Sequence, residues 1–151
     1  MKVRESPMLD KNKEYIGYCP EEQDFVKGRL VDGLSKHNVL GKEFNVTTYD
    51  LVCENCGSLL SSHEIEHENE IIVYDAYKKL VGLLTSSEIK AIRSKRGWSQ
   101  RQLAKFLDIG EKDITRYENG AIQTRSIDNM IRLVDDDIVF ERMRVCLNKN
   151  I

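Results

Sequence analysis

Cysteine is scarce: four in 151 residues, at positions 19, 53, 56 and 146. That is too few, and too unevenly spaced, for a disulfide framework. No apolar run approaches the roughly 20 residues that span a bilayer, so no membrane helix is expected. Residues 1–7 lack the apolar core of a secretory leader. A reducing, cytoplasmic setting is therefore expected, where a CxxC is a metal or redox element rather than a bridge. A strong excess of one charge is also missing: the formal net charge is −2, which excludes a generally basic nucleic-acid coat. What is present, 40% hydrophobic and 32% charged residues, suits a soluble globular chain rather than a disordered one.

The charge is unevenly placed. Residues 1–84 carry 10 Lys and Arg against 15 Asp and Glu, a net of −5. Residues 85–151 carry 13 against 10, a net of +3. Within 90–116 there are eight bases and three acids. An acidic half joined to a locally basic one suits a chain that meets a polyanion with one half and something else with the other.

The periodicity divides the chain into four parts. Residues 1–14 are polar and aperiodic and read as a loose tail. Residues 15–68 read as a small antiparallel sheet of three or four strands, with 25–31 and 43–52 as strands and glycines 17, 28, 33 and 41 at turns or bulges. So few large apolar groups need a staple. Residues 69–84 carry Ile71, Ile72, Ala76, Tyr77, Leu80, Val81 and Leu84 at helical spacing, with Asn69 as N-cap and Gly82 near the end. This linking helix leads into 85–151, which reads as short helices. Thr85-Ser86-Ser87-Glu88 and Ser99-Gln100-Arg101-Gln102 are capping boxes. Gly97 and Gly120 are stops, and Thr124 or Ser126 opens a fourth helix. A fifth runs from Ile138 to about Leu147, and Asp135-Asp136-Asp137 reads as an inter-helix turn or cap. The predicted fold class is α+β.

Residues 100–119 carry the most specific pattern. Two helices joined by the three-residue turn Asp108-Ile109-Gly110 must cross steeply. Leu103, Leu107, Ile109, Ile114 and Tyr117 fall on their shared core, and Ala104 falls at the closest approach. Trp98, Ile89, Ile92, Ile127 and Ile131 complete that core. Asp108 takes the left-handed turn position, which Asp tolerates better than most residues. The outward face of the later helix is Glu111, Lys112, Thr115, Arg116 and Asn119. A helix fits the major groove; Arg116 suits bidentate pairing with guanine, and Lys112 suits guanine or phosphate. Ser99, Gln100 and Arg101 sit at a helix N-terminus, where phosphate is favoured. With Trp98-Ser99-Gln100, Leu103-Ala104, Leu107, Ile109, Ile114 and Arg116-Tyr117-Glu118-Asn119-Gly120, residues 85–135 resemble the Cro/repressor, or Xre-type, helix-turn-helix family.

Cys53-Glu54-Asn55-Cys56-Gly57 has the spacing of half a tetrahedral zinc site. In Cys19-Pro20-Glu21-Glu22 the second thiolate position holds Glu22. Cys19, Cys53 and Cys56 with Glu22 as fourth ligand could hold Zn2+, more weakly than four thiolates; Asp24 or His37 could also serve. A degraded site without metal and a redox pair are the other readings. Cys146 reads as a buried apolar side chain. A sheet with Cys19-Pro20 and Cys53-Glu54-Asn55-Cys56-Gly57, a linking helix, then Leu83-Leu84-Thr85-Ser86-Ser87-Glu88-Ile89-Lys90-Ala91-Ile92-Arg93 and the helix-turn-helix resembles the MqsA/YgiT-type antitoxins over residues 15–135. The resemblance implies a structural zinc on Cys19, Cys53 and Cys56, a protein toxin met by the N-terminal domain, and a C-terminal domain that dimerises on a palindromic operator. It also implies that Lys112 and Arg116 occupy the base-reading positions.

His63-Glu64-Ile65-Glu66-His67 spells the H-E-x-x-H of zinc peptidases, which requires a helix, a third ligand and a cleft. Its alternation suits an edge strand as well as a helix, its polar flanks favour a solvated strand or loop, and the acidic run 64–70 could face a basic toxin surface. The sequence thus predicts a zinc-knuckle-like β domain followed by an all-α Cro/repressor-like domain. The expected function is double-stranded DNA binding and repression, without catalysis, as a homodimeric antitoxin. A prophage or chromosomal regulator without a toxin is the alternative, and a zinc peptidase using residues 63–67 is the second.

Overall fold

The computed structural model describes residues 9–146. The chain divides into two compact units, one up to Val73 and one from Tyr74.

The first unit holds three antiparallel strands in the order β1 (Tyr15–Cys19), β2 (Asp24–Val39) and β3 (Lys42–Cys53). β1 pairs only with Asp24 to Gly28 of β2, whereas β2 and β3 stay in register from Gly28↔Cys53 to Val39↔Lys42. Beyond Gly28 the sheet is therefore a two-stranded ribbon. Its tip, Leu40-Gly41, has φ of 48° and 81°, the conformation that matches strand twist in a two-residue hairpin. Leu9, Tyr15, Cys19, Leu51, Cys53, Leu60 and Ile65 form the core on one face of the sheet. Gly17 and Gly28 are neither turns nor bulges. A Cβ on either would lie 2.7 Å from Leu60, and on Gly28 also 2.7 Å from Leu51, so glycine is there to admit close packing.

Two expectations are corrected in this unit. The loose tail does not include residues 9–14: Leu9 is buried, Tyr15 Oη accepts from the Asp10 N–H, and Lys11 pairs with Asp32. Residues 1–8 lie outside the described residues. The helix α1 spans His63–Val81, starting six residues before Asn69. Asn69 is not a cap; its amide bonds both the N–H and the C=O of Tyr49, at 2.9 and 2.7 Å, and ties α1 to β3.

The second unit starts within α1 and adds α2 (Ser86–Lys95), α3 (Gln100–Leu107), α4 (Glu111–Glu118), α5 (Arg125–Asp135) and α6 (Asp137–Cys146). Gly82, at φ 70°, ends α1. Both capping boxes form, on Thr85 with Glu88 and on Ser99 with Gln102. Asp108 is left-handed at φ 58°, and Thr124 caps α5. Asp136 Oδ1 accepts the Ile138 and Val139 N–H groups at the start of α6. The core joins Ile89, Ile92, Leu103, Ala104, Leu107, Ile114 and Ile131 with Leu84, Phe106, Val134 and Phe140. Trp98, Ile109, Tyr117 and Ile127 pack against it, partly buried. Phe106, Trp98 and Phe140 form an aromatic trio with centroids 5.1–5.6 Å apart. Cys146 is exposed rather than buried: Phe140 is the buried anchor of α6, and the last turn runs past the core. Leu147 lies outside the described residues.

A buried carboxylate stitches this unit together. Asp128, fully shielded on α5, accepts from the Leu84 N–H at 2.7 Å, Gln123 Nε2 at 2.9 Å and Arg132 Nε at 2.8 Å. Burial pushes its carboxyl pKa up, but Arg132, the Leu84 N–H and Gln123 together hold it below the ordinary value. A depressed carboxyl pKa stabilises the fold above the unfolded group's pKa, and the gain disappears as pH falls through the folded one. Asp128→Ala should cost about 2–4 kcal/mol in thermal or denaturant unfolding. It should also blunt the acid-side loss of stability that the wild type shows below the ordinary carboxylate range.

Candidate nucleic-acid interface and thiol cluster

The α3–α4 pair is built around an ion pair absent from the sequence reading. Arg93, on α2, donates from Nε to Glu118 Oε1 at 2.6 Å and from Nη2 to Oε2 at 3.0 Å. Both side chains are largely buried, 15% and 3% exposed. Arg93 Nη1 also donates to the Trp98 carbonyl at 2.7 Å, bracing the turn before α3. Glu118 accepts a third bond from Gln100 Nε2 at 2.8 Å, and Gln100 Oε1 accepts from Thr115 Oγ1 at 2.8 Å. A continuous polar chain thus fixes α2, α3 and α4 in one arrangement. The sequence signal was thin: an Arg one residue past the apolar Ile89 and Ile92 stripe, and a Glu on the inner face of α4.

This chain decides which predicted contacts are free. Lys112 and Arg116 project from α4 and are exposed, as are Glu111 and Asn119. Arg116 lies 3.7 Å from Asp113 Oδ1 and stays 71% exposed. Thr115 is half-buried; its hydroxyl is committed to Gln100 and to the Glu111 carbonyl. Asn119 Nδ2 donates to the Thr115 carbonyl at 2.9 Å. Gln100 is likewise committed, while Arg101 is exposed. Ser99 Oγ caps α3 by accepting the Gln102 N–H. Gly110 caps α4 without any side-chain acceptor, and Glu111 and Asp113 place negative charge in its first turn, where the helix dipole favours it.

In the first unit, Cys19 closes β1, Glu22 sits in the turn to β2, Cys53 closes β3 and Cys56 lies in the turn that follows. Their ligand atoms lie within 4.8 Å of one another. Cys19 and Cys56 Sγ are 3.5 Å apart, and Cys53 Sγ is 3.4 Å from Glu22 Oε1. Metal–sulfur bonds of about 2.3 Å give a tetrahedron edge of roughly 3.8 Å, so the cluster has the size and donor set for a zinc-like ion. The Cys56 thiol pKa is brought down to about 7, first by the Ser58 hydroxyl and N–H and then by Cys19 and Cys53. Cys53 moves the other way: the Cys56 backbone favours its thiolate, but burial and the Cys56 and Glu22 side chains raise its pKa. The other proposed fourth ligands are outside this group. His37 Nε2 lies 2.7 Å from Ser35 Oγ on the ribbon, and Asp24 Oδ1 accepts the Phe25 N–H.

Residues 63–67 are helical, which corrects the strand or loop reading. The His63 and His67 rings stack at 6.3 Å, and Glu64 pairs with Lys13 at 2.8 Å. Among the described residues the thiol cluster is the group of three or more metal-ligand side chains, and residues 63–67 are not in one. Nor, among them, is any helix long and apolar enough to cross a membrane.

Residues 89–135 match the family model described as Helix-turn-helix, about a third of the chain. No curated protein and no solved structure matches. The matched segment runs from within α2 to the end of α5, the stretch that carries the braced α3–α4 pair and its exposed Lys112 and Arg116. Geometry and match agree: residues 89–135 are a helix-turn-helix domain, and the protein is a DNA-binding transcriptional regulator.

Proposed function

We propose that the protein is a repressor that binds a palindromic operator as a homodimer and regulates its own operon as an antitoxin. The observation that carries the DNA half is the exposed pair Lys112 and Arg116 on a helix whose inner face is locked. α4 enters the major groove; Arg116 pairs bidentately with a guanine and Lys112 takes a guanine or a phosphate. Glu111 is placed to accept from a cytosine amino group. Arg101, the capped start of α3 at Ser99 and Gln100, and Asn119 face the backbone. Thr115 acts by packing and positioning, because its hydroxyl is already used.

The antitoxin half is supported by the resemblance of residues 15–135 to the MqsA/YgiT-type antitoxins and by the first unit's surface. Opposite the buried Tyr15 and Cys19, β1 and β2 expose Ile16 and Phe25, 62% and 69% accessible. Such a face suits a protein partner, and Glu64, Glu66, Glu68 and Glu70 suit a basic one. The second reading, a regulator without a toxin, is favoured if no small basic reading frame adjoins the gene. We also propose Zn2+ on Cys19, Cys53, Cys56 and Glu22, as a structural staple of a small core, and a cytoplasmic location. No catalytic role is assigned: Glu64 is engaged by Lys13, and His63 and His67 have no third ligand among the described residues.

Two outcomes test this reading. Footprinting on the DNA upstream of the gene should protect two half-sites about one helical turn apart. Arg116→Ala should erase that protection, with about 1–3 kcal/mol lost in specific affinity and an unchanged melting temperature. Full protection by the variant would remove α4 from the role of reader. Native mass spectrometry should find one zinc per chain, lost in Cys53→Ser and held more tightly in Glu22→Cys. A wild-type protein without metal in zinc-supplemented medium would exclude the staple.

A further inference from the structure

Lys78, on α1, is fully buried. Its Nζ lies 3.5 Å from the Tyr117 carbonyl oxygen and 3.5 Å from Asp75 Oδ1. Asp75 is itself held by the first turn of α2, accepting from the Ser86 N–H at 2.9 Å and the Ser86 hydroxyl at 2.5 Å. Tyr117 is the penultimate residue of α4. The ammonium therefore stands at the C-terminal end of the DNA-reading helix, where the helix dipole attracts a cation, beside a carbonyl that also accepts the Gly120 N–H at 3.3 Å. Removing that charge from water is unfavourable. Burial lowers its pKa, against the pull of Asp75 and Asp128. A methionine would fill the same space without that penalty, so what the ammonium supplies is location.

We infer that Lys78 is a positioning residue for DNA recognition: it holds the C-terminal end of α4 against α1, so that Lys112 and Arg116 meet base edges in register. The inference rests on the reading of α4 as the recognition helix. Lys78 has no solvent-exposed surface and cannot touch DNA itself. The N-terminal end of α4 has no side-chain cap; the Thr115–Gln100 bond and buried Ile114 hold its middle, and Lys78 and Arg93 hold its other end. Bidentate base pairing tolerates only about half an ångström of error, whereas phosphate contacts through flexible side chains tolerate more.

The test uses the full-length protein and two duplexes, one enriched from a random pool by the wild type and one scrambled version of it. Lys78→Met should keep or raise the melting temperature. It should weaken binding to the enriched duplex about tenfold and leave the scrambled duplex and the salt slope unchanged. Lys78→Gln, too short to reach Tyr117, should give the same loss. An unchanged ratio between the two duplexes in either folded variant would overturn the inference. So would unfolding of both variants, which would make Lys78 a stability residue. If the wild type enriches no sequence at all, it is the reading of α4 that fails, and the inference falls with it.

Discussion

The buried pair Arg93–Glu118 is the interaction on which the arrangement of the helix-turn-helix depends. Each partner is nearly dry, and each makes further bonds: Arg93 to the Trp98 carbonyl, Glu118 to Gln100. A buried pair of this kind adds little net stability, because desolvation offsets the attraction. Losing one partner would strand a charge and cost about 3–5 kcal/mol. Its contribution is geometric. It sets the crossing of α2 and α4, and through Gln100 and Thr115 it sets α3 as well. Apolar contacts among Leu103, Ala104, Leu107 and Ile114 bring the helices together but tolerate sliding; the planar, two-bonded guanidinium does not.

Much of the helical unit was legible because its signals are local. A capping box needs four consecutive residues, and both boxes form as read. Asp108 at the left-handed position follows from its place directly after α3, where Asp tolerates positive φ better than most residues. The core of α3 and α4 follows from helical spacing. The illegible parts are pairings across long separations or between unlike elements. Arg93 and Glu118 are 25 residues apart, and either alone resembles a surface charge. Lys78 has no local signal that separates it from its neighbour Lys79, yet it is wholly buried. Asp128 carries no local signal of its role, because Leu84, Gln123 and Arg132 converge on it only in the fold.

The sheet unit was less legible for a physical reason. Its strands expose apolar groups on one face, so alternation does not separate inside from outside. Gly17 and Gly28 carry no pattern of their own; only the approach of Leu60 and Leu51 explains them. The early start of α1 was hidden by polar residues 63–70, where Ile65 alone faces the core. The thiol cluster behaved differently. Cys19, Cys53 and Cys56 are legible from spacing and resemblance, and Glu22 stands at the fourth position. The fold brings these four together through strand ends and two turns, leaving His37 on the ribbon and Asp24 bonded to its neighbour. The small core of Leu9, Tyr15, Leu51, Leu60 and Ile65 beside the cluster is the part of the chain with most to gain from a metal staple.

The measurement that bears most directly on a sequence-reading α4 is fluorescence anisotropy at two salt concentrations. It would compare DNA from upstream of the gene with scrambled DNA of the same length and composition. A sequence-reading α4 gives a preference of roughly a thousandfold or more, as specific readers show, with affinity for both duplexes falling as salt rises. Equal, weak binding to the two duplexes at both salt concentrations would contradict it.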